Sequence, residues 1–258
     1  MGKIFNIAHR GGAGLRPENT VAAFNAAIAR GCDGAELDVQ LSADGVVVVH
    51  HDFRLMAGVA REDGAWLAAP GPRIKDLTVE ELRRYDIGHP QPGSAYALAH
   101  PLVRAVDAVV PTLAEVMALA APSFTLMVEL KCDASDDSAD PVALAEAAYA
   151  VSRDNVIYVG FDWRALTLLV KRGAACWFTT DKLQGDARPV IDAIASAGGQ
   201  GWFPNFPDAT PDNIAYARSC SLKVGAWTVN DPADMAQLRD LDAICTDRPD
   251  ILKGLLSH

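Results

Sequence analysis

Short apolar runs alternate with longer stretches in which apolar residues recur every three or four positions. The first pattern suits strands buried on both faces and the second suits helices laid over them, so the alternation predicts a mainly parallel sheet covered by helices. Strands are expected at residues 3–9, 34–40, 46–50, 124–131, 155–159, 175–179, 201–204, 223–228 and 243–246. Helix starts are visible between them. Asn19 or Thr20 can cap a helix carrying Val21, Phe24 and Ile28; Thr78 begins a capping-box sequence; a helix begins at Pro111-Thr112-Leu113; and Pro141, Pro232 and Pro249 each sit near a first turn. Nine strand segments and about eight helices predict a (β/α)8 TIM barrel with one additional strand.

The additional strand is explained by Ser42-Ala43-Asp44-Gly45, because Asp-Gly between two apolar runs is a strong hairpin signal. Folding the chain about Asp44 sets residue 36 opposite residue 52, bringing Glu36 and Asp38 toward His51 and Asp52. Residues 53–111 break the rhythm, crowded with glycine and proline and holding one expected helix, Val79 to Tyr85. They read as a small insertion within a single domain spanning 1–258. Because the insertion leaves directly after His51-Asp52, it should lie over the barrel face where those residues stand.

A composition of 50% hydrophobic and 22% charged residues is that of an ordinary globular protein. A net charge of -10 argues against nucleic acid or an anionic membrane as partner, since both are held by clustered lysine and arginine, and any anionic substrate must be attracted locally. Cys32, Cys132, Cys176, Cys220 and Cys245 are odd in number and never spaced as metal ligands, so they read as buried thiols in a reducing compartment. The opening residues lack a signal-peptide pattern and no run reaches the ~18 apolar residues of a membrane span, which makes a cytoplasmic location the expectation, without stable membrane association.

Polar residues at the C-terminal ends of barrel strands mark the catalytic face in this fold class. They are His9 and Arg10 after the first strand, Glu36 and Asp38 on the second, His51 after the third, and Glu129 and Lys131 on the fourth. Residues i and i+2 of a strand share a face, so Glu36 projects with Asp38 and Glu129 with Lys131. Three carboxylates converging in one mouth repel one another unless protonated or bound to a cation, and oxygen donors suit Mg²⁺, Ca²⁺ or Mn²⁺ better than zinc.

The runs Ile7-Ala-His-Arg-Gly-Gly, Pro17-Glu-Asn-Thr and residues 34–52, GAELDVQLSADGVVVVHHD, are similar to the signature of the glycerophosphodiester phosphodiesterase family. Val128-Glu-Leu-Lys, Ala226-Trp-Thr-Val-Asn and Ile244-Cys-Thr-Asp-Arg-Pro resemble its later strands, and Asp76-Leu-Thr and Pro111-Thr-Leu resemble the edges of an insertion that the family carries. The ordered set covers nearly the whole chain. One departure is Gly160, where the family often has Ser.

The resemblance implies metal-dependent hydrolysis of a glycerophosphodiester, a small-molecule substrate, to sn-glycerol 3-phosphate and an alcohol. Carried over by position, Glu36, Asp38 and Glu129 would bind the divalent ion, while His9 and His51 would act as general base and general acid. The chemistry is sound independently, because a phosphodiester anion resists attack until its charge is neutralised and two imidazoles can exchange the two protons. Arg10 and Lys131 would hold phosphate oxygens. Trp227 would wall the glycerol pocket, with a core tryptophan as the structural alternative, and Phe161, after Gly160, would contribute similarly. Water and a neighbouring glycerol hydroxyl are both competent nucleophiles, the latter giving a cyclic intermediate.

The surrounding polar residues have plainer readings. Asp52 is expected to orient a neighbour, Glu18-Asn19-Thr20 to start a helix or to serve the site, with Glu18 orienting Arg10 in the second case, Asp247 to be a helix cap rather than a ligand, and His50 to be structural. His89, His100 and His258 are expected to be solvated. Two other functions fit the same features: a phosphodiesterase acting on lysophospholipids, which needs an apolar rim near Trp66 to Ala68 or Tyr96 to Leu98, and a non-catalytic binding barrel, against which the full set of histidines, carboxylates and cations argues. Nothing in the residues favours one head group, one metal or one oligomeric state over another.

Overall fold

The alternation closes into a barrel in the computed structural model, which describes residues 3–133 and 140–257. The chain runs through β1 (Phe5–Ala8), α1 (Val21–Arg30), β2 (Gly34–Leu41) and β3 (Val47–Val49). The segment after His51 then carries β4 (Arg61–Glu62), β5 (Ala65–Trp66), α2 (Val79–Leu82), β6 (Tyr85–Asp86) and α3 (Ala95–Ala99). Regular alternation resumes with α4 (Leu113–Leu119), β7 (Thr125–Leu130), α5 (Pro141–Val151), β8 (Val156–Gly160), α6 (Trp163–Lys171) and β9 (Ala175–Thr180). It ends with α7 (Arg188–Ser196), β10 (Gly201–Pro204), α8 (Pro211–Ser219), β11 (Lys223–Ala226), α9 (Pro232–Gln237), β12 (Ala243–Thr246) and α10 (Pro249–Leu256).

Strands β1, β2, β7, β8, β9, β10, β11 and β12 form a parallel ring, closed because β1 pairs with both β2 and β12. β3 returns antiparallel on β2 with Val39 opposite Val49 and Leu41 opposite Val47, the hairpin register centred on Asp44. This is a (β/α)8 TIM barrel with one extra strand. The helices start where the sequence indicates: the Thr20 side chain accepts from Ala23 N, Thr78 and Thr112 each close a capping box, and Pro141, Pro232 and Pro249 stand in the first turns of α5, α9 and α10.

Alternation along the strands sorts their side chains into two layers. Ile7, Met127, Val159, Trp177, Phe203, Ala243 and Cys245 cluster inside the ring, forming the floor beneath the catalytic mouth. Trp177 fits there because Gly201 carries no side chain; a Cβ on Gly201 would meet the indole at 2.5 Å. The intervening residues, such as Leu37, Val128 and Trp202, pack outward against Phe24, Leu144 and other helix residues.

The insertion differs from expectation. It contains a three-stranded antiparallel sheet in the order β5-β4-β6, and the helix expected through Tyr85 ends at Leu82 because Tyr85 and Asp86 pair with Glu62 and Arg61. Leu55, Ala60, Ile74, Leu82, Ile87 and Val110 form its own apolar cluster around Val48 of β3. Its far end touches the mouth, where Arg104 N donates to Leu15 O at 3.4 Å. Cys32, Cys176 and Cys245 are buried as expected, whereas Cys132 and Cys220 are half-buried; all five are free thiols. Among the described residues no helix is long and apolar enough to cross a membrane.

Candidate active site

Strand register assembles the mouth. Ala8 is partnered by Thr246 on β12 and by Ala35 on β2, so the next positions, His9, Asp247 and Glu36, emerge at one level. Asp38 is partnered by Glu129 on β7. After β1 the backbone turns through three residues with positive φ, Arg10, Gly11 and Gly12, which rotates the Arg10 side chain back over the mouth. A Cβ on Gly11 would lie 2.7 Å from Ala23 Cβ, so this turn packs directly on α1. Arg10 Nη1 donates to Glu18 Oε1 at 2.8 Å, Arg10 N donates to Glu36 Oε2 at 3.1 Å, and Arg10 Nε lies 3.4 Å from Asp38 Oδ2. Lys131 Nζ donates to Glu129 Oε1 at 2.9 Å and stands 3.7 Å from Asp38 Oδ1.

The two histidines are held alike. His9 Nδ1 is 2.6 Å from Asp247 Oδ1, and His51 Nδ1 is 2.8 Å from Asp52 Oδ1. Burial opposes ionisation of both aspartates, but bonds to their histidines hold Asp247 and Asp52 below the usual carboxylate range. An ionised carboxylate only accepts, so each Nδ1 carries the hydrogen and each Nε2 is left for chemistry. His9 Nε2 looks toward Glu36 Oε2 at 3.9 Å. The turn bearing His51 is clamped by Gln40, whose Nε2 donates to the carbonyls of His50 and Asp52 at 2.8 Å each. His50 is buried, with its pKa lowered by that burial, and stays neutral in the wall while His51 is half-exposed.

The carboxylates divide by environment. Burial first, then Asp38 and Glu129, push Glu36 well above the ordinary glutamate range. Burial would also raise Asp38, but Arg10, His51 and Lys131, with a hydrogen bond from Asn19, hold it at about 2. Desolvation would lower Lys131, yet Glu129 and Asp38 raise it, so the ammonium persists.

The family model described as the glycerophosphoryl diester phosphodiesterase family matches residues 9–251. The chain belongs to that family. A "Glycerophosphodiester phosphodiesterase" of Bacillus altitudinis is 38% identical, aligned over 97% of this chain and 96% of its own. The crystal structure of the "Putative glycerophosphoryl diester phosphodiesterase" of Silicibacter pomeroyi DSS-3 superposes with a TM-score of 0.90 at 31% identity, covering 97% of this chain and 92% of that one. An Oleispira antarctica phosphodiesterase solved with the product sn-glycerol 3-phosphate shares the fold, with a TM-score of 0.77 at 22% identity over 98% and 96% of the two chains.

Within this family member the acidic residues suit a divalent cation. Glu36, Asp38 and Glu129 each offer one oxygen within 4.8 Å of the others, and Glu36 Oε1 is buried without a hydrogen-bond partner. Oxygen-only donors at a buried position match a hard metal ion. Asp86, His89 and Asp107 form another group in the insertion, but Asp86 is already bonded to Arg61 and His89, and the Asp107 side chain is 97% exposed.

Several neighbours stand differently from their sequence reading. Asp247 is no helix cap, since Arg248 occupies the cap position without a side-chain bond; Asp247 instead ties His9 to Asn230, whose Nδ2 donates to its Oδ2 at 2.6 Å. Thr20 takes the cap of α1 and frees Asn19, at φ 54°, to donate to Asp38 Oδ2 at 2.8 Å. His89 and His100 are half-buried rather than solvated, the first bonded to Asp86 and the second with its ring tilted against that of Tyr96, and His258 lies outside the described residues. Trp227 is half-buried, donates its Nε1 hydrogen to Phe203 O at 3.1 Å, packs on the barrel floor and meets Phe161 edge-on at 5.5 Å. It therefore serves packing while keeping one part at the mouth.

Proposed function

We propose that the protein hydrolyses glycerophosphodiesters to sn-glycerol 3-phosphate and an alcohol, as one phosphodiesterase domain with residues 53–111 beside its mouth. The observation that carries this reading is the convergence of three carboxylates, two aspartate-held histidines and two cations on one barrel end, in a chain of this family. Glu36, Asp38 and Glu129 would hold a divalent ion, Mg²⁺, Ca²⁺ or Mn²⁺, which would supply neutralisation of the phosphate charge and alignment of the attacking oxygen.

The chain's own groups do the rest. With their carboxylates ionised, Glu36, Asp38 and Glu129 outnumber Arg10 and Lys131, and Glu18, Asp52 and Asp247 add further negative charge around them, so the mouth by itself repels a phosphodiester anion. Arg10, with Nη1 on Glu18, presents its remaining guanidinium hydrogens to the phosphate oxygens, and Lys131 adds a point charge. His9, with its Nδ1 hydrogen fixed on Asp247, accepts the nucleophile's proton at Nε2. His51, fixed on Asp52, donates from Nε2 to the departing alkoxide. Trp227 and Phe161 present ring faces and edges to the carbon-bound hydrogens of glycerol.

Turnover of glycerophosphocholine with and without chelator tests this reading. A lysophospholipid is the second substrate reading, favoured by Leu98 and Leu102, which are 72% and 53% exposed on the insertion beside Tyr96. The partner is thus a small phosphodiester, and the five unpaired thiols support a cytoplasmic location.

A further inference from the structure

Asn230 stands at the rim of the mouth, in the segment that joins β11 to α9. The chain there crosses to the end of β12, where Val229 N donates to Cys245 O at 3.0 Å, and Asp231 then caps α9 by accepting from Ala233 N. Asn230 itself is exposed, yet its amide makes three hydrogen bonds to the residues that follow Cys245. Oδ1 accepts from Asp247 N at 2.9 Å and from Thr246 Oγ1 at 3.1 Å, and Nδ2 donates to Asp247 Oδ2 at 2.6 Å. Thr246 is fully buried, and its Oγ1 accepts in turn from Arg248 N at 3.0 Å.

These contacts allow one arrangement of hydrogens. A backbone N–H only donates, so the Asn230 atom that faces Asp247 N is the amide oxygen, and the NH2 is left for the Asp247 carboxylate. With Oδ2 engaged by that NH2, Asp247 turns Oδ1 to His9 Nδ1, 2.6 Å away. A carboxylate only accepts, so the ring carries its hydrogen on Nδ1 and leaves Nε2 bare. The placement of one hydrogen on His9 thus follows, bond by bond, from a backbone N–H at the end of β12.

We propose that Asn230 is a positioning residue for the general base: by holding Asp247 Oδ2 it sets which atom residue 247 presents to His9, and so selects the tautomer of the ring. The inference rests on the functional reading above and deepens it, because it traces the state of the base to an exposed residue two contacts away. In Asp247→Asn the pinned Asn230 still presents its NH2, so the new amide turns its oxygen there and its own NH2 to His9, which drives the ring hydrogen to Nε2. Asn230→Asp reverses the polarity of position 230, since a carboxylate accepts from the same backbone N–H and hydroxyl and offers residue 247 only an acceptor. Combined with Asp247→Asn, that acceptor draws the amide NH2, the amide oxygen returns to His9, and the ring hydrogen returns to Nδ1.

The test is this swap. The His9 ring nitrogens are read by heteronuclear NMR of the protein with Mg²⁺, above the titration of the ring and assigned against His9→Gln, for the wild type, both single variants and the double variant. Release of sn-glycerol 3-phosphate from glycerophosphocholine and Tm are followed in parallel. The hydrogen is expected on Nδ1 in the wild type, on Nε2 in Asp247→Asn and on Nδ1 again in the double variant, whose kcat should exceed that of Asp247→Asn by about tenfold, the difference between a made and an unmade hydrogen bond. Asn230→Asp alone should lower kcat by about tenfold or more, because its carboxylate meets that of Asp247, while KM changes little. A merely structural asparagine would make the double variant worse than either single one. The hydrogen on Nδ1 in Asp247→Asn, or a double variant no more active than Asp247→Asn, overturns the inference. Wild-type-like kcat in Asn230→Asp overturns it as well, and that variant decides if the double variant fails to fold. The expected movement of the hydrogen in a protein that releases no sn-glycerol 3-phosphate supports the role of Asn230 while overturning the hydrolase reading.

Discussion

Replacing Asp247 by Asn tests the arrangement of the general base most sharply, because it keeps shape and removes one acceptor. Asp247 Oδ1 holds His9 Nδ1 at 2.6 Å, and Oδ2 accepts from Asn230 Nδ2 at 2.6 Å. An amide cannot satisfy both. If its NH2 faces His9, Nδ1 must accept, the imidazole hydrogen moves to Nε2, and Nε2 can no longer take a proton from the nucleophile. If the NH2 faces Asn230, two donors meet, and Asn230 must turn away from Asp247 N and Thr246 Oγ1, to which its Oδ1 is bonded at 2.9 and 3.1 Å. Either outcome forfeits a charge-assisted bond of about 1.5–3 kcal/mol, which corresponds to a fall in kcat of roughly 10- to 150-fold. Asp247 touches no phosphate-binding group except through His9, so KM should change little. Steady-state release of sn-glycerol 3-phosphate, with Tm measured alongside, reads both quantities. A kcat within twofold of wild type at unchanged Tm would refute the reasoning.

Glu129→Ala and His51→Ala are each expected to abolish hydrolysis, by at least about 10³-fold, with Tm nearly retained; wild-type-like turnover in either variant would contradict the assignment. Because Glu36 is held well above its ordinary pKa when no cation is bound, metal binding should expel its proton, so apparent metal affinity should rise with pH. Calorimetry at about pH 6 in two buffers of different ionisation enthalpy measures this, and zero proton release would contradict it. Trp202→Ala removes a fully buried indole, whose Nε1 donates to Thr180 Oγ1 at 3.0 Å, and should destabilise the barrel by about 3–5 kcal/mol in urea unfolding. A loss below about 1 kcal/mol would mean that the outer layer packs differently.

The barrel was legible because its signals are local. Asp44-Gly45 fixes the hairpin, and Thr20, Thr78, Thr112 and the first-turn prolines announce their helices within a few residues. The residues of the mouth were legible because they sit at strand ends with period-2 spacing. The insertion's sheet was not, since β4, β5 and β6 are two residues long and show no alternation, and the Arg61 to Asp86 pairing spans the chain between them. Asp247 was misread because the contact that gives it a role lies 238 residues away. Barrel closure carries that signal: once β12 is set beside β1, the residue after Thr246 falls beside the residue after Ala8.

The central claim is the reaction itself. Purified protein incubated with glycerophosphocholine or glycerophosphoethanolamine and Mg²⁺, Ca²⁺ or Mn²⁺ should release sn-glycerol 3-phosphate, and EDTA should abolish the release. Absence of release with every ion, or release that EDTA leaves unchanged, would contradict the account.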